Sequence, residues 1–189
     1  CPLMKEPALF SPFQIKSKTL RNRVVLSPMC QYKAQNGIVS DWHFQHYSRF
    51  AFSGLGAAFI EATGVSQEGR IGHGCTGIWD DLHVIGLSKI VEVFKQYNCV
   101  SGIQLAHAGR KASFLRPWDG ASPITKDDKK EPSWQTIGPS AIPINNHSPV
   151  PKAMTTEDIE RVKSDFRTGA QRANLIGFDM IEIHGAHGY

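Results

Sequence analysis

The chain has 189 residues, of which 41% are hydrophobic and 20% charged, and it contains 17 glycines and 11 prolines. This composition is that of an ordinary globular domain and excludes disordered, collagen-like and coiled-coil chains. The 21 basic and 17 acidic residues give a formal net charge of +4 and are scattered along the sequence. Because no basic stripe is formed, we expect no nucleic-acid partner.

The sequence also lacks the signals of membrane and secreted proteins. No apolar run reaches the roughly 18 to 20 residues of a membrane-spanning helix, and the first residues lack the charged-then-apolar order of a secretory signal. We therefore expect a cytoplasmic protein without a membrane partner. The four cysteines, Cys1, Cys30, Cys75 and Cys99, are widely spaced. This spacing indicates reduced thiols rather than a zinc site or a disulfide framework.

Hydrophobic periodicity predicts strands and helices that alternate along the chain. A first strand at residues 23–26 is ended by Pro28, since proline donates no hydrogen bond to a sheet ladder. A helix over residues 43–52, with Asp41 as its candidate N-cap, leads through a glycine-containing turn to a second strand at 57–62. The beginning of the chain thus has the order strand, helix, strand.

The same order continues. A helix capped by Asp80 or Asp81 has apolar residues at helical spacing up to Phe94, and residues 99–105 form a third, buried strand. Residues 113–151 follow without a sustained period and with too much polarity for a core. We interpret them as a loop excursion over one face, where function is often found.

The last predicted helix opens at Thr155 or Thr156, runs to Ala173 and is stopped by Gly177. Residues 178–183 form a fourth strand. Strands that alternate with helices of this length form parallel βαβ units with right-handed crossovers. The predicted fold class is therefore α/β.

Two closures of a parallel sheet remain open, a doubly wound sheet and a (β/α)8 barrel. The Rossmann glycine fingerprint is absent after the first strand, and Gly54 and Gly56 are interpreted as a helix-ending turn. Polar and reactive residues follow the strand ends, where barrel enzymes build their sites. These residues are Ser27, Pro28, Met29, Cys30, Glu61, Ala62, Thr63, Gln104, His107, His184 and His187.

Four strands are half of a barrel, and a complete one needs about 250 residues. We therefore expect residues 1–189 to be the N-terminal portion, about four βα units, of a single TIM-barrel domain in a longer protein.

The last residues, EIHGAHGY, bring two imidazoles and a phenol within a short segment. His184, His187 and Tyr189 can each donate a hydrogen bond to a carbonyl oxygen or transfer a proton. A metal site is disfavoured because no third ligand in a matching position is evident, and a pair of structural histidines remains the alternative.

Several motifs occur in the order and spacing of one known family. They are LFSPFQIKSKTLRNRVVLSPMCQY, EATGVSQEGRI, GIWDD, GIQLAHAGRKA, GPSAIP, PKAMTTEDI and GFDMIEIHGAHGY. The sequence resembles the old yellow enzyme family of flavin-dependent ene-reductases over essentially its whole length. The cysteine in SPMCQY resembles the thermophilic-like branch, which includes bacterial xenobiotic reductases.

This resemblance implies a TIM barrel that binds FMN without a covalent bond and takes hydride from NADPH or NADH. The implied substrate is a small enone, whose activated C=C bond is reduced, and the implied full-length protein is a homo-oligomer. By position, the implied cofactor-binding residues are Ser27, Pro28, Met29, Cys30, Ala62 and Gln104. The implied substrate-binding residues are Tyr32, His184 and His187, and the implied catalytic residues are His184, His187 and Tyr189. No metal is implied.

Other interpretations remain open. Related flavin barrels include dienoyl reductases and amine dehydrogenases with an iron-sulfur cluster, and a non-catalytic half-barrel would act as an interaction or folding unit. Arg110 and Lys111 are either solvated loop charges or contacts to a phosphate or a partner subunit. His43 and His46 are interpreted as solvated or satisfied core residues. The arginine and the phosphate-binding backbone that later strands supply in the family are not in this sequence.

Overall fold

The computed structural model describes residues 7–128 and 131–189. Its first elements are the strands β1 (Phe13–Ile15), β2 (Lys18–Leu20) and β3 (Val25–Leu26). The next are α1 (Asp41–Phe52), β4 (Ala57–Gly64), α2 (Leu82–Gln96) and β5 (Val100–Ala106). The last are β6 (Ile137–Gly138), β7 (Lys152–Ala153), α3 (Thr156–Ile176) and β8 (Met180–Ile183). Short 3-10 helices cover Ala8–Phe10, Gly109–Lys111 and Pro117–Asp119.

The main sheet has the strand order β3-β4-β5-β8, and every pair in it is parallel. Each strand is followed or preceded by a helix that crosses back over the sheet, so the predicted βαβ pattern and the α/β class are confirmed. The four predicted strands differ from the observed ones only at their ends, by about two residues. Among the described strands, β3 and β8 are the edges, and the sheet is open.

The helix N-termini correct one prediction and confirm another. The N-cap of α1 is Ser40 rather than Asp41, because Ser40 has extended backbone angles and its N–H donates to His43 Nδ1 at 3.0 Å. Asp41 is instead the first helical residue, where its carboxylate faces the positive end of the helix dipole. The predicted capping of α3 is confirmed, since Asp158 N–H donates to Thr155 Oγ1 at 3.2 Å.

Two further helix ends lie where the sequence predicts them. Asp81 is the N-cap of α2, while the neighbouring Asp80 carboxylate accepts from Leu82 N–H at 2.9 Å. Gly177 ends α3 in the left-handed region at φ +91°, a conformation that glycine adopts without strain. The turn leads directly to β8.

A single apolar cluster fills the space between the helices and the main sheet. Tyr47 from α1, Leu87 and Phe94 from α2, and Ile60 and Ile103 from the sheet are all buried in it. Within the described part of the chain, no helix is long and apolar enough to span a membrane. Cys30, Cys75 and Cys99 are free thiols, and Cys1 lies outside the described residues.

Two small sheets are not predicted by the sequence. β1 and β2 form an antiparallel hairpin, and β6, inside the predicted loop excursion, forms a short parallel pair with β7, which directly follows it. The side chains of β1 are exposed, so no alternating pattern marks it. The excursion contacts the carboxyl ends of the sheet strands, because Phe114 N–H donates to Ile71 O at 2.8 Å and Arg116 Nε donates to Tyr32 O at 3.3 Å.

The β8 edge leads to a prediction about association. Ile181 and Ile183 lie beside Ile103 and Leu105 in the register, yet they are 42% and 70% exposed. An apolar edge strand with unpaired backbone groups promotes pairing with other chains. We expect the isolated 189-residue polypeptide to self-associate, and the double variant Ile181→Lys, Ile183→Lys to shift it toward monomer in sedimentation velocity experiments.

The matched control is Leu175→Lys, which changes an equally apolar residue that is 75% exposed on α3. This control should leave the association unchanged. A wild-type polypeptide that sediments as a monomer at all accessible concentrations would contradict the prediction.

Candidate active site

The strand register places three side chains next to one another at the carboxyl edge of the main sheet. Ala62 of β4 is aligned with Gln104 of β5, and Gln104 is aligned with Glu182 of β8. Gln104 Nε2 donates to Glu182 Oε1, which fixes the orientation of the amide. Among the described contacts this bond uses only the amide nitrogen, so the Gln104 oxygen is available to a donor. Glu182 was missed by the sequence reasoning.

The segment after β3 lies against the same edge. Cys30 contacts the Ala62 backbone and the Tyr32 hydroxyl, and it is near the Cys75 and Glu61 side chains. Burial raises the pKa of the Cys30 thiol well above its usual range, and the neighbouring Cys75 and Glu61 charges raise it further. Cys30 is therefore a neutral thiol at neutral pH rather than a reactive thiolate.

The three residues before Cys30 differ in exposure. Ser27 is exposed, Pro28 is half-buried and Met29 is 49% exposed. Cys30 contacts the Ala62 backbone, and Ala62 is aligned with Gln104, so the structure brings these three predicted cofactor-binding residues together. Ser27, Pro28 and Met29 directly precede Cys30 in the segment after β3. The roles of all six residues toward a cofactor stay predictions.

The terminal segment after β8 is the second part of the site. His184 N–H donates to Leu105 O at 2.9 Å, which continues the ladder between β8 and β5. The His184 ring centroid lies 5.6 Å from that of His187 and 5.3 Å from that of Tyr189. The three predicted catalytic side chains are therefore neighbours.

Burial and nearby charge set the protonation of these groups. Partial burial, followed by the effect of His187, lowers the pKa of His184 below its ordinary value of 6.5. Burial raises the pKa of Tyr189 above its usual range of 10. Both side chains are thus neutral hydrogen-bond donors at neutral pH.

Lys111 fixes the terminal segment. Its ammonium donates to the backbone oxygen of His187 and lies 4.9 Å from the Tyr189 ring centroid, a cation-π distance. The sequence reasoning left Lys111 open between a loop charge and a contact to a phosphate or partner. In the structure it binds the segment that carries the histidines.

A cavity of about 310 Å³ separates Tyr32 from Tyr189. Its other walls come from Lys111 and from apolar residues of the loop excursion, including Phe114, Leu115, Pro117 and Ile144. Tyr32 contacts Trp118 edge-to-face at 6.1 Å between ring centroids, and burial raises the pKa of its hydroxyl. A cavity lined by two phenol groups and several apolar side chains is suited to a small ligand with one polar group.

Comparison with known proteins identifies the family. The sequence profile of the NADH:flavin oxidoreductase / NADH oxidase family matches residues 8–189. The chain belongs to this family. It is 45% identical over 183 residues to an NADPH dehydrogenase of Geobacillus thermodenitrificans, covering 96% of this chain and 48% of that protein. An NADPH dehydrogenase of Bacillus licheniformis is 43% identical over 188 residues, with 98% and 50% covered.

Solved structures of the same fold are also similar. Morphinone reductase superposes with a TM-score of 0.81 and 27% identity over 97% of this chain and 49% of that chain. Old yellow enzyme from Pichia sp. AKU4542 superposes with a TM-score of 0.82 and 28% identity over 97% and 47%. The chain spans about half the length of the relatives it matches.

These findings confirm the predicted resemblance to the old yellow enzyme family and the fold class, half of a TIM barrel. The predicted class of flavin-dependent oxidoreductase that uses FMN and a nicotinamide is confirmed at the level of the family. The roles of individual site residues stay predictions.

Four partly or fully buried histidines lead to a prediction about pH. Burial lowers the pKa of His46, His83, His107 and His184 below the ordinary value of 6.5. The unfolded chain therefore binds more protons than the folded chain below about pH 6.5, so stability is present above this pH and is lost as the pH falls. We expect the urea midpoint to decrease between about pH 7.5 and pH 5.

Acidic groups with lowered pKa titrate outside this window. Asp158 has a pKa of about 2, and the pKa of Asp179 is lowered below 3.8. Titration of the histidine ring protons by NMR assigns the effect to individual residues. A midpoint that is independent of pH across the window would contradict the prediction.

Proposed function

We propose that this chain supplies the flavin-facing and substrate-facing residues of an FMN-dependent NAD(P)H oxidoreductase that reduces the activated C=C bond of α,β-unsaturated carbonyl compounds. The observation that carries this proposal is the grouping of His184, His187 and Tyr189 beside the Gln104 and Cys30 surface. The NADPH dehydrogenase relatives support a nicotinamide as the hydride donor.

The residues at the strand ends fit the cofactor. Gln104 presents a fixed amide oxygen beside the small Ala62 side chain, and a flavin ring has a polar pyrimidine edge and a flat face. The neutral Cys30 thiol adds a polarizable contact to this surface. When bound there, FMN would supply the hydride-transfer chemistry between the nicotinamide and the β-carbon of the substrate.

The histidine pair would bind the carbonyl oxygen of the substrate. A neutral imidazole donates one N–H bond, so His184 and His187 together offer two donors to an oxygen that gains negative charge during hydride transfer. Such donors are worth about 3 to 4 kcal/mol each in other oxyanion sites. The Tyr189 hydroxyl, which is protonated at neutral pH, would deliver a proton to the α-carbon.

The cavity between Tyr32 and Tyr189 would hold the apolar part of the substrate. Its volume of about 310 Å³ is at the lower end for small-molecule sites, which favours a compact enone such as a six-membered ring. A yellow protein with a flavin absorption spectrum supports the proposal. A colourless, folded protein would favour the non-catalytic half-barrel instead.

The histidine pair provides a direct test. In the flavin-loaded protein that carries this sequence, we expect His184→Ala and His187→Ala each to slow reoxidation by cyclohexenone about 100- to 1,000-fold and to weaken phenol binding. Flavin reduction by NADPH should change much less, because the pair contacts the substrate oxygen. Stopped-flow absorbance measures both half-reactions separately.

The control for this test is His147→Ala, which removes an exposed histidine of the loop excursion. It should leave both half-reactions unchanged. An equal loss in the two half-reactions of the His184 and His187 variants would instead indicate a structural or metal-binding role for the pair.

Cys30 provides a second test. If its thiol lies against the flavin, Cys30→Ala should keep turnover and shift the flavin reduction potential by tens of millivolts, where about 30 mV corresponds to 1.4 kcal/mol. Redox titration measures this shift. Cys99→Ala is the matched control, since Cys99 is a buried thiol before β5, at the opposite edge of the sheet.

The outcomes of the Cys30 test separate three roles. An unchanged potential would mean that Cys30 is only a small buried apolar residue. Loss of turnover with flavin still bound would indicate a covalent mechanism, which hydride transfer to an enone does not require.

A further inference from the structure

Glu61 is a fully buried carboxylate that the proposed reaction does not use. It lies in the middle of β4, where the pairing with β5 shifts between Ile60 and Ala62 and leaves Glu61 without a register partner. Such a bulge inserts one extra residue and redirects the side chains around it. As a result Ile60 packs in the helix-side core, while Glu61 contacts α1 and Ala62 lies beside Gln104.

One backbone amide donor, one hydroxyl donor and one imidazole surround the Glu61 carboxylate. Oε2 accepts from the Gln31 backbone N–H at 2.7 Å, and Oε1 accepts from the Tyr47 hydroxyl at 3.3 Å. The Tyr47 oxygen is fixed in turn, because it accepts from the backbone N–H of Glu61 at 2.9 Å. This arrangement presents donors to both carboxylate oxygens, as a buried carboxylate requires.

The imidazole is that of His43. Its Nδ1 accepts from Ser40 N–H at 3.0 Å, so the ring proton of the neutral form is on Nε2. Nε2 lies 3.3 Å from Glu61 Oε1, outside hydrogen-bond geometry, and it has no other partner among the described residues. The imidazole therefore lies beside the carboxylate without a hydrogen bond to it.

The bond to Gln31 connects this buried group with the candidate active site. Gln31 directly follows Cys30, so the Glu61 carboxylate ties the peptide between Cys30 and Gln31 to β4. Cys30 and Ala62, which the tie brings together, are both predicted cofactor-binding residues. Because the carboxylate accepts from the residue next to Cys30, its charge also lies near the Cys30 thiol, and it contributes to the raised pKa of that thiol.

We propose that Glu61 is a positioning residue for the flavin: its carboxylate, held by Tyr47, fixes the Cys30–Gln31 peptide against Ala62 and places a negative charge near the thiol that faces the cofactor. This inference rests on the proposed function, since it assigns the surface of Cys30 and Ala62 to FMN. It adds a residue that contacts neither cofactor nor substrate.

Two substitutions separate the charge from the bond. Glu61→Gln keeps the size and an oxygen that accepts from Gln31 N–H, but it removes the charge. Glu61→Asp keeps the charge and withdraws the acceptor by one methylene group. Asp179→Asn is the matched control, because Asp179 accepts from Ser101 N–H at 2.9 Å at the opposite edge of the sheet and lies near Cys99.

The first readout needs no cofactor. Cysteine alkylation by iodoacetamide, followed by peptide mass spectrometry without added flavin, reports the reactivity of each thiol. We expect Glu61→Gln to increase the alkylation rate of Cys30 about three- to tenfold and to leave the alkylation rate of Cys99 unchanged. The reason is that the thiolate fraction rises tenfold for each unit by which the thiol pKa falls. Asp179→Asn should accelerate Cys99 and leave Cys30 unchanged.

The second readout is the flavin reduction potential of the FMN-loaded protein. Loss of a negative charge favours the electron-rich reduced flavin, so Glu61→Gln should move the potential to a more positive value. Glu61→Asp should keep the potential near the wild-type value and weaken FMN binding, because it loosens the peptide without removing the charge. A side chain that only supports the fold would not produce this split.

The outcomes are decisive in each case. Unchanged Cys30 reactivity and unchanged potential in both folded variants would overturn the inference. If Glu61→Gln fails to fold, the alkylation rate of Cys99 rises together with that of Cys30. The test then rests on Glu61→Asp. Wild-type Cys30 reactivity together with wild-type FMN affinity in this variant overturns the inference. A wild-type protein that binds no flavin overturns the proposed function and with it the role toward the cofactor, whereas failure of Glu61 alone leaves flavin binding intact.

Discussion

Backbone hydrogen bonds between parallel strands align Ala62 with Gln104 and Gln104 with Glu182. Because the strands run in the same direction, every segment that follows a strand emerges at the same edge of the sheet. Segments that are far apart in the sequence, such as those that carry Cys30 and His184, therefore lie at the same edge of the sheet. The candidate site depends on this register, since a slip of one residue would turn Gln104 to the opposite face.

Among the described pairs of the main sheet, the register shifts at Glu61, where a bulge separates Ile60 from Ala62. In the proposed scheme this bulge positions the Glu61 carboxylate. A carboxylate in the centre of a sheet costs several kcal/mol unless donors compensate its lost hydration. The donors are Gln31, in the loop after β3, and Tyr47 on α1, and the His43 ring of α1 lies beside the carboxylate. The buried carboxylate thus connects the loop after β3 with α1 and β4.

Much of the fold follows from hydrophobic spacing, because α2, α3 and the strands β4 and β5 bury regular apolar faces. The hairpin β1–β2 could not be predicted, since its short strands have exposed side chains and no periodicity. His43 and Glu61 are 18 positions apart, and only the packing of α1 on β4 shows that their side chains meet. The individual roles of Cys30 and Gln104 came from family resemblance, whereas strand-end position alone indicated only where a site would form.

Protonation states connect the geometry of the site with its proposed chemistry. Burial raises the pKa of Cys30, Tyr32 and Tyr189 and lowers that of His184, so these groups are all neutral at neutral pH. The charged groups, Lys111 and Glu182, are engaged by a backbone oxygen and by the Gln104 amide. A substrate carbonyl would thus meet neutral donors whose bonds strengthen only as the oxygen gains charge. Binding energy of this kind is realised in the transition state rather than in the ground state, which is the condition for it to accelerate hydride transfer.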